Sequence, residues 1–170
     1  MKRSAIFFLA ALILVVPVAG VARLFLAGGE DDRAGVSLAR VRSEGVVYVE
    51  SEGVFVVWTG DEPLALAAAS PHLGHRLLFC RSSGLFEGEH GEKFDRRGIY
   101  FGGPAPRGMD RVGIEVLGDR VLIDPDALGR GPGRGALAAE EPEGRFCLFG
   151  SESAEIVESP PGFAPDPGDG

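Results

Sequence analysis

Chemistry in this chain concentrates in two short boxes. The three histidines, His72, His75 and His90, lie within 19 residues of one another in a chain of 170. The first box reads Ser70-Pro71-His72-Leu73-Gly74-His75, and the second reads Glu87-Gly88-Glu89-His90-Gly91-Glu92. Imidazoles and carboxylates so gathered suit metal ligation or paired hydrogen bonding. Nothing resembles a Ser-His-Asp triad, because no acid is implied as partner to Ser70 and His72. Residues 129–135 are glycine-rich but lack the Lys-Ser/Thr of a phosphate-binding loop. The chain therefore reads as a non-catalytic protein or an electron-transfer component rather than as an enzyme in its own right.

The boxes and one further loop resemble a known family. Pro71-His72-Leu73-Gly74 is followed by His90-Gly91 with Phe94-Asp95, and then by Gly103-Pro104-Ala105-Pro106-Arg107. These stretches are similar to the two cluster loops and the proline loop of Rieske iron–sulfur domains, in the membrane-anchored cytochrome bc-type branch. The resemblance covers roughly residues 46–124. It implies a small antiparallel β-sandwich or barrel whose loops hold a two-iron–two-sulfur cluster, one iron taking two thiolates and the other two imidazoles. It also implies a partner, a cytochrome b-type complex that oxidises quinol.

The departures from that pattern bear directly on function. His72 and His90 stand at the imidazole positions, but Ser70 and Glu87 stand at the thiolate positions. The cysteine pair that ties the loops together in the cytochrome-complex branch maps to His75 and Glu89, where a histidine–carboxylate hydrogen bond can replace the tie. Hard oxygen donors are poor substitutes for thiolate on iron–sulfur clusters. The first expectation is thus a scaffold with no cofactor, acting as a structural or accessory subunit. A second reading keeps electron transfer, through a 2Fe–2S cluster or a single Zn or Fe ion held by His72, His90 and Glu87, with His75 and Glu89 as further ligands. A third is a free-standing ligand-binding envelope protein. The proline loop, 103–107, stiffens the cover of the cluster region.

These boxes need strands to position them. Val46-Val47-Tyr48-Val49 and Val54-Phe55-Val56-Val57-Trp58 are β-branched and aromatic runs, apolar on both faces, joined by Ser51-Glu52-Gly53. Further strands are expected at 63–69, 76–80, 84–86, 98–101, 112–117 and 120–123, with a tight turn at Gly118-Asp119. No stretch sustains helical periodicity, so the fold class is all-β. Gly 26 and Pro 12 fit a turn-rich domain.

Ahead of the domain, residues 5–22 form an uncharged run of 18, flanked by Lys2-Arg3 and Arg23. That length suits one membrane-spanning helix, with a cleaved signal peptide as the alternative. The flanking charges keep the N-terminus cytoplasmic and send the domain to the extracytoplasmic side of the cell membrane. The expected organisation is an anchor at 1–27, a polar tether at 28–45 with short helical character near 36–41, and the β domain at 46–124. A Gly/Pro-rich linker at 125–144, extra strands within 145–158 (at 145–149 and 154–157) and a disordered tail at 159–170 follow. All 25 acidic residues lie beyond residue 27, against a total of 17 basic ones. An exported domain of that charge repels phosphate backbones, which excludes nucleic acid as a partner. Cys80 and Cys147, the only two cysteines, form at most one disulfide, which the exported setting permits.

Overall fold

The computed structural model describes residues 33–148. The expected anchor at 1–27 and tail at 159–170 lie outside the described residues, as does the expected strand at 154–157. Among the described residues, no helix is long and apolar enough to cross a membrane.

Ten strands form two antiparallel sheets. They are β1 (Gly35–Ser37), β2 (Val46–Val49), β3 (Val54–Trp58), β4 (Pro63–Ala67), β5 (Leu78–Cys80), β6 (Leu85–Glu87), β7 (Lys93–Phe94), β8 (Tyr100–Gly102), β9 (Arg111–Leu117) and β10 (Arg120–Gly129). One helix, α1 (Leu38–Glu44), lies between β1 and β2. The large sheet has the order β1-β10-β9-β4-β3-β2, and the small sheet β5-β6-β7-β8. The all-β class follows directly.

The central strand β3 shows why its sequence is apolar on both faces. Phe55 and Val57 belong to a core shared with Phe79, Phe86 and Phe94 of the small sheet. Val54 and Val56 belong to a second core on the opposite face. Side chains alternate across a strand, so a strand covered on both sides needs no polar face. Phe86 sits at the middle of the inter-sheet core, its ring 4.8 Å from Phe55 and 5.1 Å from Phe79.

The second core has an unexpected cover. Residues 35–44 belong to the domain and are no tether. Gly35 to Ser37 pair with Leu122 to Arg120 of β10. Helix α1 then lays Leu38 and Val41 onto Val47, Val54, Val56 and Val121. The Ser37 hydroxyl caps the Arg40 amide, and Gly45, at φ 76°, ends the helix. Seven residues are too few for helical periodicity to stand out in sequence, and Val36, Leu38 and Val41 are a sparse apolar signal.

The carboxy-terminal half of the chain also departs from expectation. Pro125 does not end the last strand: β10 runs to Gly129, with a register shift between Asp124 and Leu128 that accommodates the proline. The segment after it is a fitted strap rather than a linker. Gly108 N–H donates to Pro132 O at 2.8 Å, and Asp110 accepts from Gly131 N–H at 2.9 Å. A side chain at Gly131 would collide with the carbonyls of Gly108 and Met109, so the glycine permits the close approach. Residues 145–148, expected to be a strand, form none. They are held instead by a Cys80–Cys147 disulfide with Cα atoms 5.7 Å apart.

Candidate functional site

Three loops leave the same end of the small sheet. The first box enters β5, whose Leu78 pairs with Glu87 at the end of β6. The second box connects Glu87 to Lys93, which pairs back across the same position. Residues 103–107 follow Gly102, the partner of Lys93. Antiparallel register thus puts 70–75, 88–92 and 103–107 side by side.

Each loop is fixed by its own backbone. In the first, Ser70 N–H donates to His75 O at 2.8 Å and Gly74 N–H to Ser70 O at 3.1 Å. Leu73 takes a left-handed φ of 62°, a conformation that costs a branched side chain, and lies exposed at the tip. In the second, Gly88 N–H donates to Glu92 O and Gly91 N–H to Gly88 O. In the third, a Cβ at Gly103 would strike the Gly91 carbonyl, so this loop presses on the second. Ala105 is buried in the inter-sheet core, and Tyr100 Oη donates to Gly103 O at 2.6 Å. Arg134 from the strap covers the Tyr100 ring at 4.2 Å. Arg107 is ion-paired with Asp110. Loop 103–107 is thus bound into the frame.

The histidines meet on the outer surface of these loops. The His72 and His90 rings are 5.7 Å apart, and the His75 and His90 rings 4.9 Å apart. His75 Nδ1 lies 2.6 Å from Glu89 Oε1, with the two side chains 50% and 43% exposed. His90 Nδ1 is 3.9 Å from the same oxygen. The donors of His75, Glu89 and His90 all fall within 4.8 Å of one another. His72 neighbours this set without converging with it.

Beneath the histidines lies a carboxylate that sequence reasoning passed over. Glu92 is fully buried. Its Oε1 accepts the Ser70 hydroxyl at 3.0 Å, and its Oε2 accepts the His90 amide at 3.0 Å. Ser70 Oγ also accepts the His72 amide at 3.1 Å. One buried side chain therefore binds the first loop to the second. Gly88 makes room for it, since a Cβ there would lie 2.8 Å from Glu92 Cδ. Glu92 precedes the two-residue strand β7 and lies outside it, so no strand alternation marked it for burial.

Glu87 does not join the histidines. It is 1% exposed on β6 and faces the strap. Its Oε1 accepts from Ser83 Oγ at 2.7 Å, and its Oε2 accepts the Cys147 and Leu148 amides, each at 3.0 Å. Its neighbouring donors are the disulfide sulfurs of Cys80 and Cys147. Of the residues expected to hold a single ion, His72, His90, Glu87, His75 and Glu89, the structure brings together the donors of His75, Glu89 and His90 and parts Glu87 from them. Asp95 has a comparable structural task. It is buried, and it accepts the Arg97, Ile99 and Glu140 amides. Burial pushes the Arg111 guanidinium below its ordinary value, and the charge of Asp95 opposes that shift.

These residues do not fit a two-iron–two-sulfur cluster. The group requires two thiolates, and the matching positions hold Ser70 and Glu87, whose oxygens are engaged in the contacts just described. The two cysteines of the chain are bonded to each other on the strap side. What remains at the loops is an exposed imidazole–carboxylate surface above a buried hydrogen-bonded lock.

No protein-family model matches the chain, and no curated protein matches it. Among solved structures, the chain is similar to the cyanobacterial plasma membrane Rieske protein PetC3 from Synechocystis PCC 6803. The identity is 23% and the TM-score 0.45, over 54% of this chain and 98% of that one. It is also similar to a chain of a hyperthermophilic respiratory Complex III, at 19% identity and a TM-score of 0.45, over 72% of this chain and 100% of that one.

Proposed function

We propose that this chain is a Rieske-fold protein that has lost its two-iron–two-sulfur cluster and serves as a structural or accessory subunit beside a quinol-oxidising, cytochrome bc-type complex. The observation that carries this reading is the buried Ser70–Glu92 hydrogen bond. It joins the two loops from inside, at a position that resembles a thiolate site, and so supplies the cohesion a cluster would otherwise provide. Loss of both thiolates without such a replacement would leave the loops joined by the exposed His75–Glu89 contact and no buried one.

Placement follows from the sequence. Residues 5–22 anchor the chain in the cell membrane as a single pass, with the N-terminus cytoplasmic and the domain extracytoplasmic. The Cys80–Cys147 disulfide supports an oxidising compartment for the domain. The partner class rests on the motif resemblance.

The test is spectroscopic and compositional. The full chain, produced natively and purified in detergent, is expected to co-purify with a b-type cytochrome and, once separated from it, to be colourless and free of iron. A reducible visible absorbance with two irons and sulfide per chain, retained by the separated chain, would overturn the loss of the cluster and restore the electron-transfer reading. A colourless chain that co-purifies with no redox protein would favour the free-standing envelope role.

A further inference from the structure

The geometry points to a mononuclear site for a borderline divalent cation of the Zn2+ type, held by His75, Glu89 and His90 on the outer surface of the two loops. This site shares His90 with the one that the family resemblance implies but takes His75 and Glu89 in place of its other ligands, and it does not rest on the accessory-subunit reading.

The donor chemistry selects the ion. Two imidazoles and one carboxylate suit Zn2+ and its first-row neighbours, whereas Ca2+ and Mg2+ prefer all-oxygen shells. The spacing suits one ion. Donors bound to a tetrahedral Zn2+ at 2.0–2.2 Å stand about 3.4 Å apart. Here His75 Nδ1 and Glu89 Oε1 are 2.6 Å apart, and His90 Nδ1 and the same oxygen 3.9 Å, which bracket that spacing. Glu92 Oε1 also lies 3.9 Å from His90 Nδ1, and both distances are too long for a hydrogen bond, so neither carboxylate holds the His90 ring. All three donor groups converge within 4.8 Å. Their side chains are partly exposed and can close by rotation, while their main chains are held.

The platform under the site is rigid. His90 N–H is fixed by the buried Glu92, and His75 O by Ser70 N–H. Ser70 and Glu92 in turn hold each other. Ligands that arrive on two loops locked at their base lose little freedom on binding. Three protein ligands leave a fourth position open to solvent, as in sites where the ion takes up a water or an external group.

The full chain, stripped with chelator and titrated calorimetrically with Zn2+ alone, is expected to bind one ion. Co2+ alone should give the visible bands of a four- or five-coordinate site. His75→Gln, Glu89→Gln and His90→Gln should each weaken Zn2+ binding at least about tenfold, and His72→Gln should leave it unchanged. These side chains are exposed, and an unchanged circular dichroism spectrum will verify folding. As a second readout, Zn2+ should shift the imidazole nitrogen resonances of His75 and His90 together. Three outcomes overturn the site: equal binding by the wild type and the His75→Gln/His90→Gln double variant, undiminished binding in Glu89→Gln, or a loss in His72→Gln as large as in His90→Gln. An iron–sulfur absorbance would strike at the proposed loss of the cluster and, because His90 stands at one of its imidazole positions, at the ion site too; failure of the titration in a colourless chain would overturn the ion site alone.

Discussion

The Ser70 hydroxyl donates to Glu92 Oε1 across 3.0 Å, in a place where both residues are buried and 22 positions separate them in the chain. The contact converts two glycine-rich loops into one body. The same serine oxygen accepts the His72 amide, and the other carboxylate oxygen accepts the His90 amide. Both histidines at the imidazole positions thus have their main chains tied to a single interior hydrogen bond. Buried polar groups are costly unless satisfied, and this pair satisfies itself along with two backbone amides.

A disulfide completes the frame from the opposite side. It spans 67 positions and pins the strap to β5. Constraining a loop of that length stabilises the fold by about 4 kcal/mol in the chain-entropy account. Reduction, or Cys147→Ser, should lower the urea midpoint accordingly and expose the Glu87 carboxylate, which accepts the Cys147 and Leu148 amides. Thiol titration of the unreduced, denatured chain should find no free thiol. Two free thiols there would show that the bridge does not form in solution.

The His75–Glu89 contact is a weaker tie, and its strength can be bounded. Both side chains are about half exposed, and exposed pairs of this kind contribute between about 0.2 and 1 kcal/mol. His75→Ala and Glu89→Gln should each lower stability within that range. The double variant should lose no more than the larger single loss, because both singles break the same contact. Melting of His75→Ala identical to the parent at every salt concentration and pH would remove the tie.

Much of the frame was legible in the sequence, and the illegible parts share a physical cause. Strands β2 and β3 announced themselves because Val46 to Val49 and Val54 to Trp58 are strong β formers covered on both faces. The turn at Gly118-Asp119 was readable from its glycine, which takes φ 60°. Helix α1 was legible only as short helical character near 36–41, and its extent to Glu44 and its place in the domain were not, since tertiary cover by Val41 and Leu38 stabilises it more than any local pattern does. The strap misled because glycine reads as flexibility, whereas Gly131 serves close packing against Gly108 and Met109. At the site, the boxes located the right loops. They could not show that Glu87 turns to the strap and Glu92 to the interior, because both directions are set by partners distant in the chain, the Cys147 amide for Glu87 and Ser70 for Glu92.

The residue correspondence with the iron–sulfur loops can be tested by reversal. Ser70→Cys with Glu87→Cys restores thiols but leaves the Glu92 carboxylate between the loops, where it lies buried against both. That double variant should acquire no cluster. Adding Glu92→Ala removes the obstruction, but residue 87 faces the strap and not the histidines, so the triple variant should stay colourless as well. A cluster in the double variant would show that Glu92 does not block the space. A cluster in the triple variant would show that residue 87 can reach the histidines and that positions 70 and 87 correspond to the thiolate sites.

Gly88 and Glu92 should be energetically coupled, and a double-mutant cycle can measure the coupling. A methyl group at position 88 would lie 2.8 Å from Glu92 Cδ, with Leu77 Cδ2 at 3.1 Å beside it. Gly88 does not take a left-handed φ, so the penalty for Gly88→Ala arises from crowding rather than from backbone strain. Such overpacking costs about 1–3 kcal/mol. Glu92→Ala leaves the Ser70 hydroxyl and the His90 amide without their acceptor in a buried site, a loss of about 2–4 kcal/mol. With Glu92 already truncated, the new methyl meets open space on that side, and the double variant should be more stable than the sum of the singles predicts by at least about 1 kcal/mol. Urea denaturation of the four proteins under oxidising conditions supplies the cycle. Additive losses would mean that the carboxylate does not pack against Gly88, and the lock between the two loops would have to be placed elsewhere.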